Sequence, residues 1–322
     1  MWIAFWLALW AAPAQLVPAL AQEGFRVLDL DTALVALVDS GGDARPHAER
    51  VRARYERAVE VVRQRLGLTG PPRPYIIECP SAHRMRELTA MIAGAPAPDY
   101  ADAVAVPAAN VMLIVPSMEL GADLALFHET AHLALHGRFA RIPRWIDEGL
   151  AQWAAGQVPG EAELRTLRYW AFRNGVFPFG SLEDELPRRH ELASFAYVQS
   201  YSVVEYLAMR RGGVGLLLDV VARAQTEPLA AAWKQVYGEA AEATWEKWRR
   251  QEAGNFSLTG FLLYDIPLFT YLAVLVLIGY ARYLVKRRRF LRAEELEDSP
   301  AEGLEDGEEG REAEGEQPPE RP

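Results

Sequence analysis

The chain has almost no cysteine: Cys79 is the only one in 322 residues. That excludes an intrachain disulfide and any cysteine-built zinc site. A domain exported from the cell would have to be stable without covalent staples, which a core of this size permits. Histidine is also scarce, at six residues, so two that share a helix face stand out. Clustered positive charge is missing from the globular part. The formal net charge is −10, but from Ala293 onward 13 acidic residues face only two arginines. The rest of the chain is therefore close to neutral, and the acidity carries no message about a substrate. Without a clustered basic face, nucleic-acid binding has no electrostatic support.

Charge is absent at two places where its absence is informative. None occurs before Glu23, Trp2 to Trp10 are all apolar, and Ala19-Leu20-Ala21 fits the small-residue rule for cleavage before Gln22. Residues 1–21 are therefore expected to be a signal peptide or an N-terminal anchor. The missing basic start keeps the uncleaved form open, while Pro13 and Pro18 argue against a continuous spanning helix. The second apolar run is 261–285, uncharged from Ile266 to Ala281. As a helix it would cover the roughly 30 Å hydrocarbon core of a bilayer, with Tyr264, Tyr271, Tyr280 and Tyr283 toward its ends as interface anchors. Lys286, Arg287, Arg288, Arg289 and Arg292 follow directly, which marks the cytoplasmic side. The expectation is one transmembrane helix in the cell membrane, single-pass after signal cleavage. Residues 22–254 would then be extracytoplasmic and 286–322 cytoplasmic. The tail from Glu294 to Pro322 has too few large apolar residues to offset the entropy of ordering and is expected to be disordered. It reads as a solvated spacer, with a cytoplasmic partner as the other use of it.

Between these segments strands come first and helices later. Phe25 to Leu30, Pro74 to Cys79 and Val111 to Val115 read as strands. Helical periodicity covers Pro46 to Leu66, with Val51, Tyr55, Ala58, Val62 and Leu66 on one side, and a stretch capped by Ser81. A further helix ends at Gly137, and another begins at Pro143 and ends near Gly156. From Glu161 on, the pattern is helical throughout. The class is α+β: a small N-terminal sheet with helices, then a mainly helical C-terminal half.

The helix ending at Gly137 contains His128-Glu129-Thr130-Ala131-His132. Two residues four apart differ by about 40° around a helix, so both imidazoles leave one face and can share one zinc ion. Glu129, next to His128, is set to act on the water rather than the metal, which is the place for a general base. A catalytic zinc wants a third protein ligand and an open position. Glu148, 16 residues past His132, can supply it if the next helix runs antiparallel, and Gly149 removes a side chain where the helices would crowd. Asp147 suits a histidine N–H acceptor; the alternative for both acids is a solvated first turn favoured by the helix dipole. His136 lies too far along the axis to share the ion with His128. His47, His83 and His190 read as ordinary surface or packing residues.

The string HETAH followed by PRWIDEGLAQW resembles the gluzincin metallopeptidases, and within them the peptidase-MA-like group, whose active-site helix is zincin-like. The segments Ser194 to Leu207 and Tyr237 to Trp248 are also similar to that group, so the resemblance runs from about Phe25 to Arg250. It implies zinc ligation by His128, His132 and Glu148 and a general base at Glu129. It also implies a tyrosine that stabilises the oxyanion: Tyr197, with Tyr201 as the second choice. The implied function is hydrolysis of peptide bonds in a peptide or protein substrate by metal-activated water. Val111 to Val115 would offer an edge for an extended substrate. The competing reading is a catalytically inactive, membrane-anchored binding or scaffolding module that keeps the zinc-peptidase fold. An intact Glu129 argues against it, because a scaffold needs no base.

Overall fold

The computed structural model describes residues 13–257 and 268–297, apart from 71, 100, 117–120, 188 and 211. The chain divides into two units, Met1–Ser257 and Leu258–Pro322.

The first unit opens with a helix, α1 (Pro13–Gln22), and a hairpin of β1 (Phe25–Leu30) and β2 (Ala33–Val38) registered from Phe25↔Val38 to Leu30↔Ala33. A long helix, α2 (Arg45–Leu66), crosses over to β3 (Tyr75–Glu78), which pairs parallel to β2. Gly67, at φ +67°, ends α2 in the left-handed region that a side chain would strain. Then come α3 (Ala82–Ala93), β4 (Ala103–Val106) and β5 (Val111–Ile114), with the Ser81 hydroxyl capping α3 by accepting from Arg84 N–H at 3.2 Å. The sheet order is β1-β2-β3-β5-β4, with β5 parallel to β3 and β4 antiparallel to β5.

Neighbouring residues on each strand point to opposite faces, and two separate cores result. Val35, Ile76 and Met112 pack on one face against Val51, Tyr55 and Ala58 of α2 and Leu126 and Leu133 of the following helix. Ala36, Ile77 and Leu113 pack on the other against Met85 and Leu88 of α3 and Leu20 of α1. The expected leader, 1–21, lies outside the described residues up to 12. Its remainder forms α1, with Leu20 fully buried.

The second half is helical: α4 (Gly121–Arg138), α5 (Arg144–Ala155), α6 (Glu161–Phe172), α7 (His190–Ala208), α8 (Gly213–Arg223), α9 (Leu229–Tyr237) and α10 (Ala241–Gly254). Its core is built on Trp145, Trp233 and Trp248, all buried, with Phe179 stacked on Trp145 at 4.4 Å. The α+β reading holds: a five-stranded sheet followed by a mostly helical half. Two strands were not legible in the sequence, β2 and β4. The second corrects an expectation, because β4 covers β5, and β5 is an interior strand with no free edge.

In the second unit the helix α11 (Leu268–Glu297) carries exposed apolar side chains from Leu272 to Val285. Among the described residues no helix is long and apolar enough to cross a membrane. The start of the expected span, 261–267, lies outside them. The helix runs four residues into the tail expected to be disordered, through Glu297, and residues 298–322 are not described.

Helices α5 and α7 approach closely at Gly149. A Cβ there would stand 2.5 Å from the Ser200 carbonyl oxygen and 2.6 Å from Val204 Cγ2. The first contact is with backbone, which cannot swing away. Gly149→Ala should therefore destabilise the domain by about 1–3 kcal/mol, read as a lower urea midpoint; an unchanged midpoint would mean that α5 and α7 are not pressed together here.

Candidate metal centre

Helices α4 and α5 pack against each other, and their facing side chains build one polar cluster inside an otherwise apolar interface. From α4 come His128, Glu129, His132 and His136; from the first turn of α5 come Arg144, Asp147 and Glu148. His132 Nε2 lies 3.0 Å from His128 Nε2, and Glu148 Oε2 lies 3.3 Å from His128 Nε2 and 3.5 Å from His132 Nε2. Three ligand atoms at tetrahedral positions around zinc, with bonds near 2.05 Å, would be separated by about 3.3 Å. The three atoms thus form the base of a zinc tetrahedron. Buried polar atoms without a partner give the same indication. Among the described residues, Glu148 Oε2 accepts no hydrogen bond although it is buried, a costly state unless a cation completes it. The residues fit a zinc ion.

The imidazole of His132 is oriented from behind. Its Nδ1 lies 2.8 Å from Asp147 Oδ1, which leaves Nε2 to face the cluster centre. Asp147 Oδ2 accepts from His136 Nε2 at 3.1 Å and from Arg144 Nη1 at 3.0 Å. Arg144 Nη2 is 2.5 Å from Glu148 Oε1. His132, His136 and Asp147 make a second group with metal-ligand atoms near one another, but His132 Nδ1 and both oxygens of Asp147 are already engaged there.

These pairings set the charges. Burial alone would lower the His132 pKa, but Asp147 and Glu148 outweigh it and raise it well above the ordinary value. Burial would raise both carboxyls. The His132 charge and the hydrogen bonds from His132 and His136 hold Asp147 far below the usual range. Glu148 is held down by the neighbouring His132 and His128 rings and by the Arg144 charge.

The cluster opens on one side into a cleft of roughly 650 Å³ whose walls include Ala103, His128, Glu129, Gln152, His190 and Tyr197. Glu129 Oε2 accepts from the Ala105 N–H at 2.5 Å, so the edge strand β4 holds this carboxylate in the cleft wall. The Tyr197 hydroxyl, from α7, is 3.4 Å from Glu148 Oε1. Gln152 ties α5 to α7 by donating to the Tyr197 carbonyl oxygen at 3.1 Å.

All of the residues singled out in the sequence for the site, His128, Glu129, His132, Glu148 and Tyr197, come together here. Tyr201 does not: it is buried, and its hydroxyl donates to Glu205 at 3.2 Å. His47 and His83 pair with Glu78 and Glu87, away from the cluster. His190, read as an ordinary surface or packing residue, is exposed and stands in the cleft wall. The sequence reading missed Arg144, although its spacing of three and four from Asp147 and Glu148 is the helical pairing pattern.

A pair of metal-spaced histidines, one buried and one half-buried, a carboxylate from the next helix and an acid beside them in a cleft define a metallopeptidase-like domain. A model of the peptidase MA superfamily matches residues 81–253, more than half of the chain. The chain belongs to that superfamily, whose members are usually zinc-dependent. No curated protein matches the chain.

The raised His132 pKa has a measurable consequence. At pH 7 the metal-free imidazole carries a proton, and zinc binds only the neutral ring. Zinc binding at pH 7 should release about one proton, seen in calorimetric titrations in two buffers of different ionisation enthalpy. Identical heats in the two buffers would contradict a charged His132.

Proposed function

We propose that this domain is a zinc-dependent peptidase of the gluzincin type, with His128, His132 and Glu148 as ligands and Glu129 as general base. The observation that carries the reading is the set of separations of 3.0, 3.3 and 3.5 Å among the three ligand atoms, with Glu129 beside them in an open cleft. Zinc bound there would supply a Lewis acid for the scissile carbonyl and a water made acidic near neutrality.

The chain's own residues do the rest. The Glu129 carboxylate, steadied by the Ala105 N–H, takes the proton of the attacking water and returns it to the leaving amine. The Tyr197 hydroxyl donates to the oxygen that gains charge in the tetrahedral state. An extended peptide lies along the outer edge of β4, which borders the cleft, and not along β5. Zinc analysis and a peptide-library digest test the reading together. The wild-type chain should hold about one zinc, and His128→Ala should lose it. Glu129→Gln should keep zinc but lose roughly 10²–10⁴ of the hydrolytic rate. Zinc without any difference between wild type and Glu129→Gln would leave the inactive scaffold as the better reading.

The anchoring is proposed on the same terms. The apolar run 261–285, the basic cluster after it and the exposed apolar side chains along α11 support a helix that enters a membrane. The catalytic domain would then face away from the cytoplasm. Alkaline carbonate should leave the full chain in the membrane fraction and release a chain lacking 261–285; equal release of both would end this topology.

A further inference from the structure

We propose that Arg144 is a positioning residue: it makes Glu148 a one-oxygen ligand and, through Asp147, fixes the orientation of His132. The inference rests on the metal centre proposed above.

A carboxylate beside zinc can offer one oxygen or two. With two histidines already bound, a two-oxygen Glu148 would fill the position that a peptidase must keep open. The two oxygens of Glu148 are treated very differently here. Oε1 receives Arg144 Nη2 at 2.5 Å and the Tyr197 hydroxyl at 3.4 Å. Oε2 has no hydrogen-bond partner among the described residues and faces the two imidazole nitrogens at 3.3 and 3.5 Å. The guanidinium draws one oxygen aside and leaves the other for the ion. Its second nitrogen, Nη1, is 3.0 Å from Asp147 Oδ2, and the other oxygen of that carboxylate holds His132 Nδ1 at 2.8 Å. One planar fork therefore governs two of the three ligands. A lysine ammonium is a point charge on a flexible stem and cannot reproduce that geometry.

Charge and geometry make opposite demands, which separates this role from a mere counter-charge. A cation this close to the ion repels it, so by charge alone the loss of Arg144 would tighten metal binding. If Arg144 positions the ligands, its loss weakens binding and alters coordination. The Arg144 side chain is 42% exposed, so a small cation from solvent can reach its place.

The test uses the full chain with cobalt(II) in place of zinc, read by visible absorption, together with zinc affinity from chelator competition. Arg144→Gln should give the weaker, shifted spectrum of a higher coordination number and bind zinc about 10–100-fold less tightly. Arg144→Lys, which keeps the charge and guards against a variant that fails to fold, should show the same spectral change. Methylguanidinium added to Arg144→Gln should restore the original spectrum. An unaltered cobalt spectrum in both variants overturns the proposal, whether zinc affinity rises or only thermal stability falls. If the wild-type chain binds neither metal, the metal-centre reading fails first and the role of Arg144 goes with it.

Discussion

Two adjacent carboxylates, Asp147 and Glu148, begin a helix in which both side chains are only 2% exposed. Removing two negative charges from water costs several kcal/mol each unless cations and hydrogen bonds replace the solvent. Three imidazoles and one guanidinium do so, and all four lie within 3.5 Å of an acid oxygen. The rest of the molecule is arranged around keeping that cluster closed. Helix α4 must press its histidine face against the first turn of α5. Gly149 must let α7 approach, and Trp145, Phe179 and Trp233 must fill the space behind.

The sheet has a different task from the helical half. It buries α2 and α4 on one face and α3 on the other, and so fixes where α4 lies. Its outermost strand, β4, pairs antiparallel with the later strand β5 and forms the edge that borders the cleft. Through the Ala105 N–H it also touches Glu129 directly.

Several parts of this arrangement could be read before any coordinates. The four-residue spacing of His128 and His132 is a property of the helix repeat, so their convergence follows once the segment is helical. Glu148 was within reach because Pro143 and Gly137 bracket a reversal of the chain; the crowding expected at Gly149 between α4 and α5 lies instead against α7, at Ser200 and Val204. Strands β2 and β4 were not legible. Ala33 to Val38 is entirely apolar and lacks the alternation that marks a half-buried strand, because both faces of β2 are covered. Ala103 to Val106 is four small residues that carry no periodic signal. Arg144 went unnoticed because a helix-start arginine near two acids usually marks a solvated face, and only burial of the acids changes its meaning.

The sequence by itself determined the residue types of the candidate site, their spacing along two helices, the mixed class, and the segregation of apolar and basic runs at the ends. Each of these depends on local repeat geometry or on composition, which the chain carries residue by residue. The tertiary structure alone decided which strand is the edge, which tyrosine faces the cleft, and which oxygen of Glu148 is left for a cation. Those depend on the packing of elements far apart in sequence, and no local pattern encodes a distance between them.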